Sequence, residues 1–137
     1  MTAKNLYPLA ENAADRVKTP TGKSLSDLTV DAVIAGDVTA ADLAITPHAL
    51  HLQAEIARQA ERLTLAENFY RAAELVSVPQ EIIMQTYEML RPGRADAETL
   101  TAQANFLRTH YGANLIADFI EEAAAVYARR NIFVKRY

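Results

Sequence analysis

With 137 residues, no cysteine and a formal net charge of -3, the chain can enclose one modest apolar core and has no thiolate chemistry available. Its 14 Lys and Arg are mixed among 17 Asp and Glu, so the basic stripe that a nucleic-acid binder needs is missing. No apolar run reaches the roughly 18 residues of a membrane span, and the first residues lack the apolar stretch of a secretory signal, which points to the cytoplasm.

Alanine and leucine dominate, with only 4 glycines and no tryptophan. Good helix formers without long Val, Ile and Thr runs predict an all-α fold. The expected architecture is a small bundle of about five helices over 29–137, preceded by an irregular N-terminal arm over 1–28. The arm holds Pro8, Pro20, Gly22 and the polar segment from Lys18 to Ser24. Tyr7, Leu9 and Val17 are its apolar anchors. The rest of the chain offers no large spare surface for such an arm, so a partner is expected to order it.

Thr29 caps a short helix with Val30, Val33 and Ile34 apolar and Gly36 at its stop. Thr39 followed by Asp42 is a weaker capping box that opens at most one turn. Thr46-Pro47 is a strong helix start, followed by the stripe Leu50, Ala54, Ala57 and Ala60. Thr64-Leu65-Ala66-Glu67 matches a capping box, so the helix breaks near Arg62 and restarts there. Leu65, Phe69, Ala72, Ala73 and Val76 form that stripe, and Val78-Pro79 ends it. Ile82, Ile83, Tyr87 and Leu90 follow on the helix that Pro79 opens. The loop Arg91-Pro92-Gly93-Arg94 precedes a helix capped by Asp96, with Leu100, Ala104 and Leu107 on one face. Gly112 separates it from a last helix carrying Ile116, Phe119, Ile120, Ala123 and Tyr127. Arg129, Arg130, Lys135 and Arg136 gather at its C-terminal side, where the helix dipole favours cations.

The candidates for chemistry are sparse. His48, His51 and Glu55 share one helix face, but zinc wants three or four protein ligands and no second Glu-x-x-His exists. A solvated face is the expected reading, and His110 stands by itself. Gly22-Lys23-Ser24 ends like a phosphate loop, yet position 17 is Val17 where the motif needs glycine. Glu121 and Glu122 diverge by about 100° on a helix. Asp118 and Glu122 share a face, read as solvation rather than an acid/base pair. No catalytic residue and no metal or cofactor ligand is assigned.

Several stretches in fixed order resemble the small subunit of adenosylcobalamin-dependent diol and glycerol dehydratases. They are Tyr7-Pro8-Leu9-Ala10, Thr19 to Lys23, and Leu28-Thr29-Val30 with Val33 and Gly36. Ile45-Thr46-Pro47 with Leu50 and Gln53-Ala54 comes next, then Asn68-Phe69, Arg71 to Leu75 and Val78-Pro79. Leu90-Arg91-Pro92 with Arg94, and Phe119-Ile120 with Glu122-Ala123-Ala124 and Tyr127, complete the set.

The resemblance implies a helical subunit of a larger complex, usually a dimer of heterotrimers. A large TIM-barrel subunit would hold the substrate, and adenosylcobalamin would lie between it and a medium subunit. The reaction would be radical dehydration of 1,2-propanediol, glycerol or 1,2-ethanediol to an aldehyde. None of the family's catalytic or cobalamin-binding residues maps onto this chain. From the residues themselves, Tyr7, Pro8, Leu9, Val17, Arg91 and Arg94 are the candidate subunit-interface residues, the arginines being either ordinary surface residues or fork-shaped donors at a seam. Some relatives carry an N-terminal extension tied to microcompartment packaging, which this sequence is expected to lack. Gly93 stands where the family is usually aromatic and Ala95 where a hydroxyl cap is common, so Asp96 is expected to take over the cap. A stand-alone helical adaptor or regulatory protein without catalytic activity is the alternative, and a metal-binding helical bundle enzyme a remote third.

Overall fold

The computed structural model describes residues 6–133, and divides into two compact units at Val76 and Ser77. Seven α-helices and three short 3₁₀ turns make up the described residues, with no strand among them. Five of the helices are long, in agreement with the all-α bundle expected from composition.

In the first unit, α1 (Leu9–Asn12) is a single turn. A second short helix, α2 (Val30–Ala35), runs from Thr29, whose Oγ1 accepts the Ala32 N–H at 3.1 Å, to Gly36 at φ 82°. Only glycine takes that left-handed backbone at little steric cost. Thr46 caps α3 (Pro47–Gln59) by accepting the Ala49 N–H at 3.2 Å. The break expected near Arg62 is present: α3 ends at Gln59, Glu61 takes φ 60°, and α4 spans Leu63–Leu75. The helix starts two residues earlier than the capping-box match placed it. Thr64 lies inside α4, and Arg62 precedes the helix without a side-chain cap.

The core of this unit has two clusters. Ala54 and Ala57 of α3 meet Ala66 of α4, with Leu65, Phe69 and Tyr70 packed around them. Leu6, Leu9 and Ala13 close on Leu52, with Val17 and Ile56 beside them. The arm therefore does have a surface within the chain. No regular apolar period marks Leu6 and Ala13, and Leu52 falls outside the Leu50, Ala54, Ala57 stripe of α3. Tyr7, expected as an anchor, is exposed, whereas Leu9 is buried and Val17 half-buried. Residues 1–5 of the arm lie outside the described residues. Ala60 and Val76, read as stripe positions, are exposed because the helices end just before them.

The second unit contains α5 (Gln80–Leu90), α6 (Ala97–Tyr111) and α7 (Asn114–Arg129). Asp96 caps α6, its Oδ1 accepting the Thr99 N–H at 2.7 Å. Gly112 turns the chain at φ 63°. Leu100, Ala104 and Leu107 of α6 pack out of solvent, as do Ala113, Ala117 and Ile120. The helix α5 buries Thr86 rather than Tyr87. Thr86 donates to its own helix at the Ile82 carbonyl (2.8 Å) and accepts from Gln103 Nε2 (2.8 Å), so this polar pair is satisfied. The Tyr127 hydroxyl donates to the Leu90 carbonyl at 2.6 Å and ties α7 to the end of α5. Arg129 and Arg130 close α7 as expected, while Lys135 and Arg136 lie outside the described residues.

The arm cluster is directly testable. Leu6→Ala removes a buried side chain from a site closed by Leu9 and Leu52, and is expected to destabilise the chain by about 2–5 kcal/mol. Urea unfolding followed by circular dichroism measures it; an unchanged midpoint would mean that the arm contributes no packing.

Candidate functional site

The best-connected polar group in the first unit is Asp42, whose carboxylate is almost fully buried. Thr19 donates to Asp42 Oδ1 at 3.3 Å, and the Thr21 hydroxyl donates to the same atom. Lys23 Nζ stands at 3.1 and 3.2 Å from the two carboxylate oxygens, and the Thr39 N–H reaches Oδ2 at 3.0 Å. The Thr21 hydroxyl, the Thr39 amide and the Lys23 ammonium hold this carboxyl well below the usual carboxylate range. The box of Thr39 and Asp42 thus serves a second purpose beyond its own turn. It pins the hairpin-like segment 18–24, where Lys18 and Ser24 form an isolated bridge and Gly22 turns at φ 90°. The lysine of Gly22-Lys23-Ser24 is committed to a carboxylate, in keeping with the rejection of a phosphate loop.

This polar knot sits at one side of an open groove of about 510 Å³. Its walls include Tyr7, Pro8, Leu25, Leu28, Leu43 and Ile45. Tyr7, Leu43 and Ile45 are large apolar side chains left largely in solvent, as are Val30, Val33 and Ile34 of α2. The surface is suited to holding another apolar surface.

The histidine face is solvent-facing as expected. His48, His51 and Glu55 are exposed, and the His51 ring lies 5.7 Å from the Tyr70 ring. No group of three or more His, Cys, Asp or Glu among the described residues could hold a metal ion. His110 stacks on Phe106 with ring centroids 4.4 Å apart.

In the second unit, Arg91 and Arg94 both lean on Glu88, at 3.1 and 3.3 Å. One carboxylate shared by two exposed guanidinium groups leaves net positive charge at this loop, and such exposed pairs are weak, about 0–1 kcal/mol. Asp118 does not share its ion-pair partner with Glu122. Arg108 instead takes Asp118 at 2.9 Å and Glu121 at 3.0 Å, and the two carboxylates raise the guanidinium pKa further. The Gly112 turn that brings α7 back along α6 is the signal that could have revealed this clamp.

A family model described as the dehydratase small subunit matches residues 2–134. The chain belongs to the dehydratase small-subunit family. It is similar to the propanediol dehydratase small subunits of Citrobacter freundii and Salmonella typhimurium, 48% identical to each over 124 residues. Those matches cover 90% of this chain and 72% of each relative. For a dehydratase small subunit, a structure whose most distinctive surface is apolar and whose one buried acid is fully paired is chemically coherent.

Asp42 gives a pH test with a fixed sign. A carboxyl held below its ordinary pKa of 3.8 adds stability above that value and loses it as pH falls through the folded value. The wild-type melting midpoint should vary little between about pH 5 and 7 and fall below about pH 4. Asp42→Asn should lower the midpoint at pH 7 by several degrees, with the gap closing as the pH drops. Differential scanning calorimetry across that range decides it, and a gap independent of pH would remove the electrostatic account.

Proposed function

We propose that this chain is the small, non-catalytic subunit of an adenosylcobalamin-dependent diol or glycerol dehydratase. It stabilises the assembly by binding the large catalytic subunit, which would convert 1,2-diols or glycerol to aldehydes. The observation that carries the reading is a family match running almost from end to end of the chain, with 48% identity to propanediol dehydratase small subunits. The proposed partners are the large TIM-barrel and the medium subunits, in a dimer of heterotrimers in the cytoplasm. No helix among the described residues is long and apolar enough to cross a membrane.

Adenosylcobalamin belongs to the other subunits in this reading. The groove of about 510 Å³ is open and mostly apolar, with Lys18, Thr19, Asp42, Thr46 and Gln53 as its polar lining, which supports a contact surface rather than a cofactor site. No chemical step is assigned to this chain.

For the interface, Tyr7 and Pro8 are exposed while Leu9 and Val17 hold them from beneath. Residues 6–28 of the arm are thus proposed as a contact element held by Leu9 and Val17. Arg91 and Arg94 supply forked donors from the second unit.

Co-expression with the large and medium subunits tests the role. The three chains should purify together, and omission of this one should reduce recovered dehydratase activity at least several-fold. The double change His48→Ala and His51→Ala should leave activity within a few-fold of wild type. A large loss with intact assembly would return that histidine face to the chemistry.

A further inference from the structure

The helix α2 is secured at both ends and buries none of its residues. Thr29 holds its first turn and Gly36 closes its last, while Val38 just beyond is buried. Between those points Val30, Val33 and Ile34 are 75%, 52% and 80% exposed. Leu28, two residues earlier, lines the groove with Leu43, Ile45 and Tyr7, which are 67%, 53% and 64% exposed.

The area discriminates between occupants. A buried aliphatic side chain of this size corresponds to roughly 60–120 Å² at about 25 cal/mol per Å², and an aromatic one to roughly 150–250 Å². The six exposed side chains therefore leave on the order of 400 Å² of apolar surface. A stable protein interface covers about 800 Å² on each partner, somewhat over half of it apolar. The two figures agree, whereas a small molecule filling the groove would leave α2 bare.

Charge then selects the kind of protein. Asp31 on α2 and Asp27 and Asp37 to either side of it are exposed, and of the cations near Asp27, Lys18 and Lys23, the second is already paired with Asp42. A second copy of the same face would set these acids against their equivalents, which disfavours self-pairing. The complementary surface is apolar and edged by lysine or arginine.

We propose that α2, with the groove rim formed by Tyr7, Leu43 and Ile45, is the face that docks on the large dehydratase subunit, through an apolar surface edged with basic residues. The inference rests on the subunit role proposed above and names its surface.

Two variants of the full chain test it, each mixed with the large and medium subunits. Val30→Asp with Ile34→Asp should weaken assembly about 100-fold. Neither residue is buried, so the helical circular dichroism and melting midpoint of the isolated chain should stay as in wild type. Asp31→Lys with Asp37→Lys should slow association at low salt, and the difference should vanish as salt screens it. Assembly of the Val30/Ile34 variant as tight as wild type overturns the face alone. Failure of the unmodified chain to join the other subunits overturns the subunit role and the face with it. A wild-type dimer in sedimentation that the Val30/Ile34 variant abolishes would assign the face to a second copy and also overturn the proposal.

Discussion

A carboxylate removed from water has to be surrounded by donors, and in the first unit that requirement is met by drawing two distant segments together. Asp42 collects Thr19, Thr21, Lys23 and the Thr39 amide. Residues 18–24 have no periodic apolar face with which to pack, so the polar contacts are what locate them. The segment between Lys23 and Asp42 becomes an arch anchored at both feet. Capping gives α2 its local form, and the anchors with Val38 give it a place. None of this needs the apolar side chains of α2 to turn inward, which leaves them in solvent.

The second unit is organised by the opposite means. The helices α6 and α7 share a core of Leu100, Ala104, Leu107, Ala117 and Ile120 from which solvent is excluded. Polar contacts there close the edges: Gln103 on Thr86, Tyr127 on the Leu90 carbonyl, and Arg108 between Asp118 and Glu121. Small Ala104 and Ala117 are buried in that core together with the larger Leu100, Leu107 and Ile120. The loop at Arg91 and Arg94 is held at its start by the Tyr127 bond to the Leu90 carbonyl, even though its own ion pairs are weak.

What the sequence discloses follows from how local the signal is. The caps at Thr29, Thr46 and Asp96 and the turns at Gly36 and Gly112 depend on three or four neighbouring residues, and all are legible in advance. Helical periodicity likewise locates the α6 face of Leu100, Ala104 and Leu107. It fails where packing is not periodic. Leu6 and Ala13 pack on Leu52 because a one-turn helix and a 3₁₀ turn fold the chain back, and no stripe announces that. The role of Asp42 is hidden for a different reason: its partners lie about twenty residues away, and a capping box accounts for the same residue types. The family resemblance was readable because it depends on ordered pieces spread along the whole chain. The exposed α2 face was visible only as an apolar trio, which a short helix could have turned either way.

These features bear on how a subunit without chemistry of its own can bind firmly. A segment that folds only on its partner surrenders roughly 1–2 kcal/mol of backbone entropy per ordered residue at the moment of binding. Here Leu6, Leu9 and Ala13 already order the arm against Leu52, and the Asp42 contacts already order the arch that carries α2. That entropy is lost when the chain folds, not when it assembles. The exposed side chains of a six-residue helix with fixed ends also have little freedom left to lose. A face of only modest apolar area can then hold a partner well, because more of its burial energy remains as affinity. The same reasoning explains why the knot around Asp42 lies beside the groove: loosening it would return the ordering cost to the binding step, even though Asp42 itself is too deeply placed to contribute a contact of its own.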